Sequence, residues 1–134
     1  MATAHSYEEL DAWQLSAALR DKVLEVSATW QARDRRFCEQ LRDAACSAPR
    51  NLAEGFALFK PRRFANHARI ARGSLVEVKN HLNDAQTRQW LTQDEATSLL
   101  QLCRRAINAT TGLLKYLDSC KGIAPTGWNA DPEP

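Results

Sequence analysis

Apolar residues along this chain recur at intervals of three and four, and nowhere alternate with period two, so the pattern predicts helices and no strands. The clearest run is Phe64, Ala68, Ala71, Leu75, Val78, Leu82 and Ala85, spaced 4, 3, 4, 3, 4, 3. It predicts a third helix with an uninterrupted heptad seam, starting at Pro61, a favoured first-turn residue, and running to about Trp90. A fourth helix opens at Thr92, whose hydroxyl and Glu95 have capping-box spacing. It repeats the heptad at Ala96, Leu99, Cys103, Ala106, Thr110, Leu113 and Leu117, is widened by Leu100, Ile107 and Leu114, and fades near Cys120. A first helix is expected from Ser6, where Ser6 and Glu9 offer another capping box. It carries two apolar stripes, one of Leu10, Trp13, Ala17, Leu24 and Ala28, the other of Leu15, Leu19, Val23, Val26 and Trp30. Two stripes make an arc wide enough to touch more than one neighbour. Residues 30–36 break the pattern and read as a polar connection.

The second helix, Arg35 to Leu58, is the least ordinary. Phe37, Leu41, Ala44, Ala45, Ala48, Leu52 and Phe56 supply its core face, and the alanines admit a close neighbour. Pro49 stands in its interior, where it removes one hydrogen bond and crowds the carbonyl of Ala45, so a kink is expected. Gly55 together with Phe59-Lys60-Pro61 is expected to end the element. Gln40, Ser47, Asn51 and Glu54 lie among the apolar residues, with Ser47, Asn51 and Glu54 able to line one face, and Ser74 and Glu77 repeat the relation on the third helix. These six read as a structural hydrogen-bonded network that satisfies the carbonyl freed by Pro49 and fixes helix register or a subunit contact. The fold class that follows is all-α, an antiparallel up-down-up-down four-helix bundle over residues 1–121. Residues 122–134, with three prolines and two glycines, form an expected flexible, disordered tail, in which Trp128 is solvated or tucked against a neighbour.

Composition narrows the function more than the fold. The chain has 134 residues, 44% hydrophobic and 25% charged, the balance of one soluble domain. No apolar run approaches the roughly 20 residues of a membrane span, and residues 1–10 lack the basic-then-apolar order of a secretory signal, so no membrane partner and a cytoplasmic location are expected. Cys38, Cys46, Cys103 and Cys120 show no C-x-x-C pair, excluding the usual zinc spacing, and read as reduced core thiols. A di-metal carboxylate bundle needs paired Glu-x-x-His motifs, and Glu77 with His81 is a single pair at a different spacing. No metal, cofactor or catalytic residue is therefore assigned.

Charge is unevenly placed. Residues 31–72 hold ten basic side chains, Arg33, Arg35, Arg36, Arg42, Arg50, Lys60, Arg62, Arg63, Arg69 and Arg72, against four acids, a balance of +6 where the whole chain is +2. The rest is then −4. Such a field suits RNA or DNA bound through phosphate, or acidic neighbours in an assembly. No helix-turn-helix, zinc finger or aromatic platform is visible, so binding would be indifferent to base sequence. An enzymatic alternative remains: Arg62 and His67 have the R-x4-H spacing of the helical-bundle ribonucleases of toxin and defence systems, although the residue after the arginine is Arg63 where those enzymes carry a small polar one.

Tyr7-x-x-Leu10-x-x-Trp13-Gln14, Gln40-Leu-Arg with Ser47-x-x-x-Asn51-Leu-Ala-Glu54-Gly55, Phe64 with Ile70-Ala-x-Gly73-Ser74-Leu75-x-Glu77, Ala85 and Trp90-Leu91 together give the chain its kinship. Over residues 6–120 it resembles the bacterial four-helix bundle proteins first noticed as products of intervening sequences in 23S ribosomal RNA genes. That resemblance implies a cytoplasmic, all-helical homo-oligomer, with ring-shaped pentamers expected and no established enzymatic activity. A related bundle serves as accessory factor to a reverse transcriptase in diversity-generating retroelements, with a basic ring surface that binds nucleic acid. The chain departs from the family pattern at Thr29-Trp30-Gln-Ala-Arg33, where relatives carry a phenylalanine-proline turn followed by glutamate.

Overall fold

The structure is a computed structural model that describes residues 4–58 and 60–120. The tail 122–134, Trp128 and Phe59 lie outside the described residues. The described residues form four α-helices and two short 3-10 turns, with no strand among them: α1 (Asp11–Val26), α2 (Arg35–Ala57), α3 (Pro61–Thr87) and α4 (Gln93–Ser119). Each helix packs on its neighbours in sequence, and α4 returns against α1.

The heptads of α3 and α4 are the core. All seven predicted α3 positions and all seven of α4 are buried, and Cys103 donates its thiol to the Leu75 carbonyl at 3.3 Å across the pair. Burial pushes that thiol up to about 11, which keeps it protonated and chemically quiet. Cys38 is likewise buried, Cys46 and Cys120 are half-buried, and all four cysteines are free thiols. At Thr92 the capping box forms in both directions, at 3.1 and 2.9 Å.

Three details depart from the expectations. The Ser6–Glu9 capping box does not form. Tyr7–Glu9 is a 3-10 turn, Glu9 accepts from the backbone N–H of His5 instead, and an extended Leu10 lets α1 begin only at Asp11. The core face of α1 consequently runs through Ala12, Ser16, Leu19, Val23, Ser27 and Trp30, while Trp13, Leu15, Leu24 and Val26 are half-buried and Ala28 is exposed. Two buried serines conceal this stripe in the sequence. Ser27 satisfies its hydroxyl on the Val23 carbonyl at 2.6 Å. Residues 30–36 are not simply polar either, because Trp30 is buried.

Finally, Gly55 does not end α2. The helix continues through Ala57, and Gly55 is buried inside it. A Cβ at that position would stand 2.7 Å from Phe64 Cδ1 and 2.8 Å from His67 Cβ. Its glycine is required by the closeness of α3, not by backbone conformation. The true left-handed residue is Gln89, φ 65°, after the end of α3. There Trp90 N–H returns to the Ala85 carbonyl and Gln89 N–H to the Gln86 carbonyl, a Schellman closure that aims Trp90 inward.

A candidate nucleic-acid interface beside a histidine seam

The polar residues of α2 meet α3 along one seam, and its order is set by helix geometry. Ser47, Asn51 and Glu54 occupy successive turns of one α2 face, opposite His67 and Ser74, themselves two turns apart on α3. Asn51, only 8% exposed, donates its side-chain amide to the Ser47 carbonyl at 2.9 Å and to the Ser47 hydroxyl at 3.1 Å. Ser74 donates to the same hydroxyl at 2.8 Å. With its NH2 group turned to Ser47, Asn51 presents Oδ1 to His67 Nδ1, 3.1 Å away. The Glu54 carboxylate stands 3.9 Å from that same Nδ1.

Of the six predicted network residues the structure joins four, Ser47, Asn51, Glu54 and Ser74, and adds His67. Gln40 and the Glu77 carboxylate are exposed and take no side-chain hydrogen bond from described residues. The carbonyl served is that of Ser47, one turn above Asn51, and not that of Ala45. The residues of the compact block Asn51-Leu-Ala-Glu54-Gly55 thus act together on α3. Asn51 and Glu54 address the His67 ring, and Gly55 leaves room for its Cβ. The sequence marks both the block and the histidine as unusual without pairing them, because the partners lie sixteen residues apart on different helices.

The ten basic residues are spread along the length of the bundle. Arg33, Arg35 and Arg36 lie at or just before the start of α2, whereas Lys60, Arg62 and Arg63 lie at the start of α3, beyond the other end of a 23-residue helix. At about 1.5 Å per residue those ends are roughly 35 Å apart. Several guanidiniums are already engaged: Arg35 with Glu39 at 3.1 Å, Arg69 with Asp118 at 2.9 Å, Arg72 with the Thr111 hydroxyl at 2.9 Å, and Arg33 over the Trp90 ring at 5.6 Å. Arg42 is half-buried with its Nε lacking a partner among the described residues. Arg36, Arg50, Lys60, Arg62 and Arg63 are exposed and have no carboxylate within ion-pairing distance among the described residues.

A second polar cluster, unforeseen in the sequence, closes the opposite corner. Arg88 donates to Asp34 at 2.9 Å and Asp84 at 3.1 Å, and its guanidinium lies 4.4 Å from the Phe37 ring centre and 5.0 Å from that of Trp90. Trp30, Phe37, Trp90 and His81 pack against one another, tilted or edge-to-face, with ring centres 5.1–6.5 Å apart. Asp34 also caps α2 by accepting from Phe37 N–H at 3.0 Å. The Arg88 hydrogen bond, with the Phe37 and Arg36 amides, holds its carboxyl below the usual carboxylate range. Its spacing to Phe37 is that of a cap and local; its bond to Arg88 spans 54 residues and leaves no mark in the sequence.

Elsewhere, a cleft of about 570 Å³ between the end of α1 and the start of α4 is lined by Glu25, Asp94 and Glu95 with Lys22, a poor setting for phosphate. No group of three metal-ligating side chains occurs among the described residues, and none of the described helices is long and apolar enough to cross a membrane. The family model described as 23S rRNA-intervening sequence protein matches residues 8–112, a span that includes the seam and the aromatic corner. No curated protein matches the chain.

Proposed function

The chain belongs to the 23S rRNA-intervening sequence protein family, and on that premise we propose that it is a non-enzymatic interaction protein that self-associates and binds RNA or DNA through phosphate. One observation carries the binding half: Lys60, Arg62 and Arg63 form a compact exposed group with no carboxylate beside them among the described residues. Cations left unpaired are the ones that can exchange counterions for phosphate. The expected result is retention of labelled RNA or duplex DNA at low salt, with log affinity falling linearly in log salt. Replacing Arg62 and Arg63 by glutamate should abolish it, and absence of retention by the unmodified protein at low salt would remove the reading.

The bundle is proposed to be left-handed, antiparallel and up-down-up-down. In support, Arg69–Asp118 ties the start of α3 to the end of α4, and Arg88–Asp34 ties the end of α3 to the start of α2. Self-association, as a homopentamer in the cytoplasm, is supported by family membership and by Ile70 and Val76, 53% and 48% exposed on α3. Light scattering giving one chain's mass would dismiss it. A metal-independent ribonuclease using Arg62 and His67 is the second reading, favoured by the way Asn51 orients His67. Against it, residues five apart on a helix point about 140° from each other. RNA left intact after long incubation would end that alternative.

A further inference from the structure

We propose that His67 is an RNA-selecting residue, its outward nitrogen accepting a hydrogen bond from a ribose 2′-hydroxyl, a proposal that rests on the nucleic-acid-binding reading above.

The direction of the bonds along the seam determines which face of His67 is offered. Asn51 commits its NH2 group to the carbonyl and hydroxyl of Ser47, and Ser74 anchors that hydroxyl from α3. The amide oxygen is therefore the atom presented to His67, and it must receive a proton. Nδ1 carries that proton, so in the neutral ring Nε2 bears the lone pair. Nε2 has no partner among the described residues, and the side chain is 27% exposed. The ring is thus fixed by part-buried bonds at one nitrogen, while the other presents an acceptor with no partner among the described residues.

The surroundings indicate which donor that acceptor would meet. Arg63 precedes His67 by four residues, about 40° around and 6 Å along α3. Arg50 adjoins Asn51 on α2, and both arginines are exposed and without an ion-pair partner among the described residues. A partner drawn by these cations bears phosphate, and an acceptor one turn from Arg63 suits a hydroxyl next to phosphate. Ribose has one on every nucleotide and deoxyribose has none. Glu54 lies 3.9 Å from Nδ1, and no partner of Nε2 occurs among the described residues. Discrimination of RNA from DNA then needs no base contact.

The test compares one sequence of about 20 nucleotides as single-stranded RNA, as DNA and as 2′-O-methyl RNA, bound to the unmodified full chain at fixed low salt and followed by fluorescence anisotropy. RNA should bind about three- to tenfold tighter than either analogue, the size of one net hydrogen bond. His67→Ala should bring RNA to the DNA affinity while leaving DNA binding unchanged, and His67→Gln, which keeps an acceptor, should retain part of the preference. Equal binding of the three probes by the unmodified chain overturns this assignment and leaves phosphate binding standing. A preference for RNA that survives His67→Ala also overturns it. Failure of every probe to bind sinks both this assignment and the reading beneath it.

Discussion

At the corner where α1 meets α2 and α3 meets α4, the Arg88 charge is closed by two carboxylates, whereas along the α2–α3 seam the chain of bonds stops at a half-buried histidine. Arg88 is held by two carboxylates and flanked by two rings, and Asp34 serves it while also capping α2. There Arg88 and its two carboxylates satisfy one another. The seam uses equally specific bonds, from Ser74 through Ser47 and Asn51 to His67, yet its last member keeps an acceptor with no partner among the described residues, and its carboxylate stands 3.9 Å off. Polar groups that neutralise one another hold the ends of a bundle together. Polar groups that orient a ring and go no further make that ring available.

The largest effects should come from the closed corner. Phe37 is buried, with its ring against Trp30, Trp90, His81 and the Arg88 guanidinium. Phe37→Ala is expected to cost about 3–5 kcal/mol, as for other buried phenylalanines. Urea unfolding should show it, and a loss under about 1 kcal/mol would mean that the corner is peripheral. Nucleic-acid affinity, measured below the lowered melting temperature, should be unchanged.

Next is Gly55. In a helix alanine is favoured over glycine by about 1 kcal/mol, but here the new methyl would meet His67 Cβ at 2.8 Å. The Phe64 ring can turn aside, whereas His67 Cβ moves only with the α3 backbone, and overpacking of that kind costs about 1–3 kcal/mol. Gly55→Ala should therefore lower stability on balance and displace His67 from Asn51, visible as a shifted His67 ring resonance. A gain in stability would show that α2 and α3 are not in such close contact.

These two sites also show how far the sequence is legible. The heptads of α3 and α4 can be read because burial there is periodic and apolar, and so can the Thr92 cap, which is local. The core stripe of α1 is obscured by Ser16 and Ser27, which are buried although polar. Gly55 stands out as unusual but reads as a helix end, since a glycine demanded by a neighbouring helix looks the same in sequence as one demanded by a turn. The polar residues of the seam stand out as a set, yet the spacing of His67 from Arg62 points to a different motif, and nothing in the pattern marks Arg88. Contacts sixteen and 54 residues apart leave no periodic trace in one sequence.

A smaller effect separates charge from capping at the closed corner. The Asp34 carboxyl is held below its usual range, mainly by Arg88 and then by the Phe37 amide. A depressed folded-state pKa stabilises the fold above the unfolded value, near about 3.9, and that contribution is lost as pH falls through the folded value. Asparagine also caps helices well. Asp34→Asn should keep the α2 start, lower stability modestly at neutral pH and flatten the acid limb of a melting-temperature profile between about pH 5 and 2. An acid limb identical in shape to that of the unmodified chain would mean that the Arg88 pair contributes nothing.

The smallest stability effect belongs to Glu54, and it separates the two regions most sharply. At 56% side-chain exposure and 3.9 Å from His67, its contact with the ring, an ion pair only when His67 is protonated, is worth between nothing and about 1 kcal/mol. Glu54→Gln should therefore leave the melting curve almost unchanged, in contrast to any substitution at Arg88. Its effect on binding should be opposite in sign. A carboxylate 3.9 Å from His67 repels a phosphate approaching that ring, so its neutralisation should strengthen RNA binding about two- to fivefold at low salt and less at high salt, where such repulsion is screened. A carboxylate that only braced the fold would lower stability when neutralised and leave affinity alone. Unchanged RNA binding by a fully stable Glu54→Gln protein would place the phosphate away from the seam and return the interface to Lys60, Arg62 and Arg63.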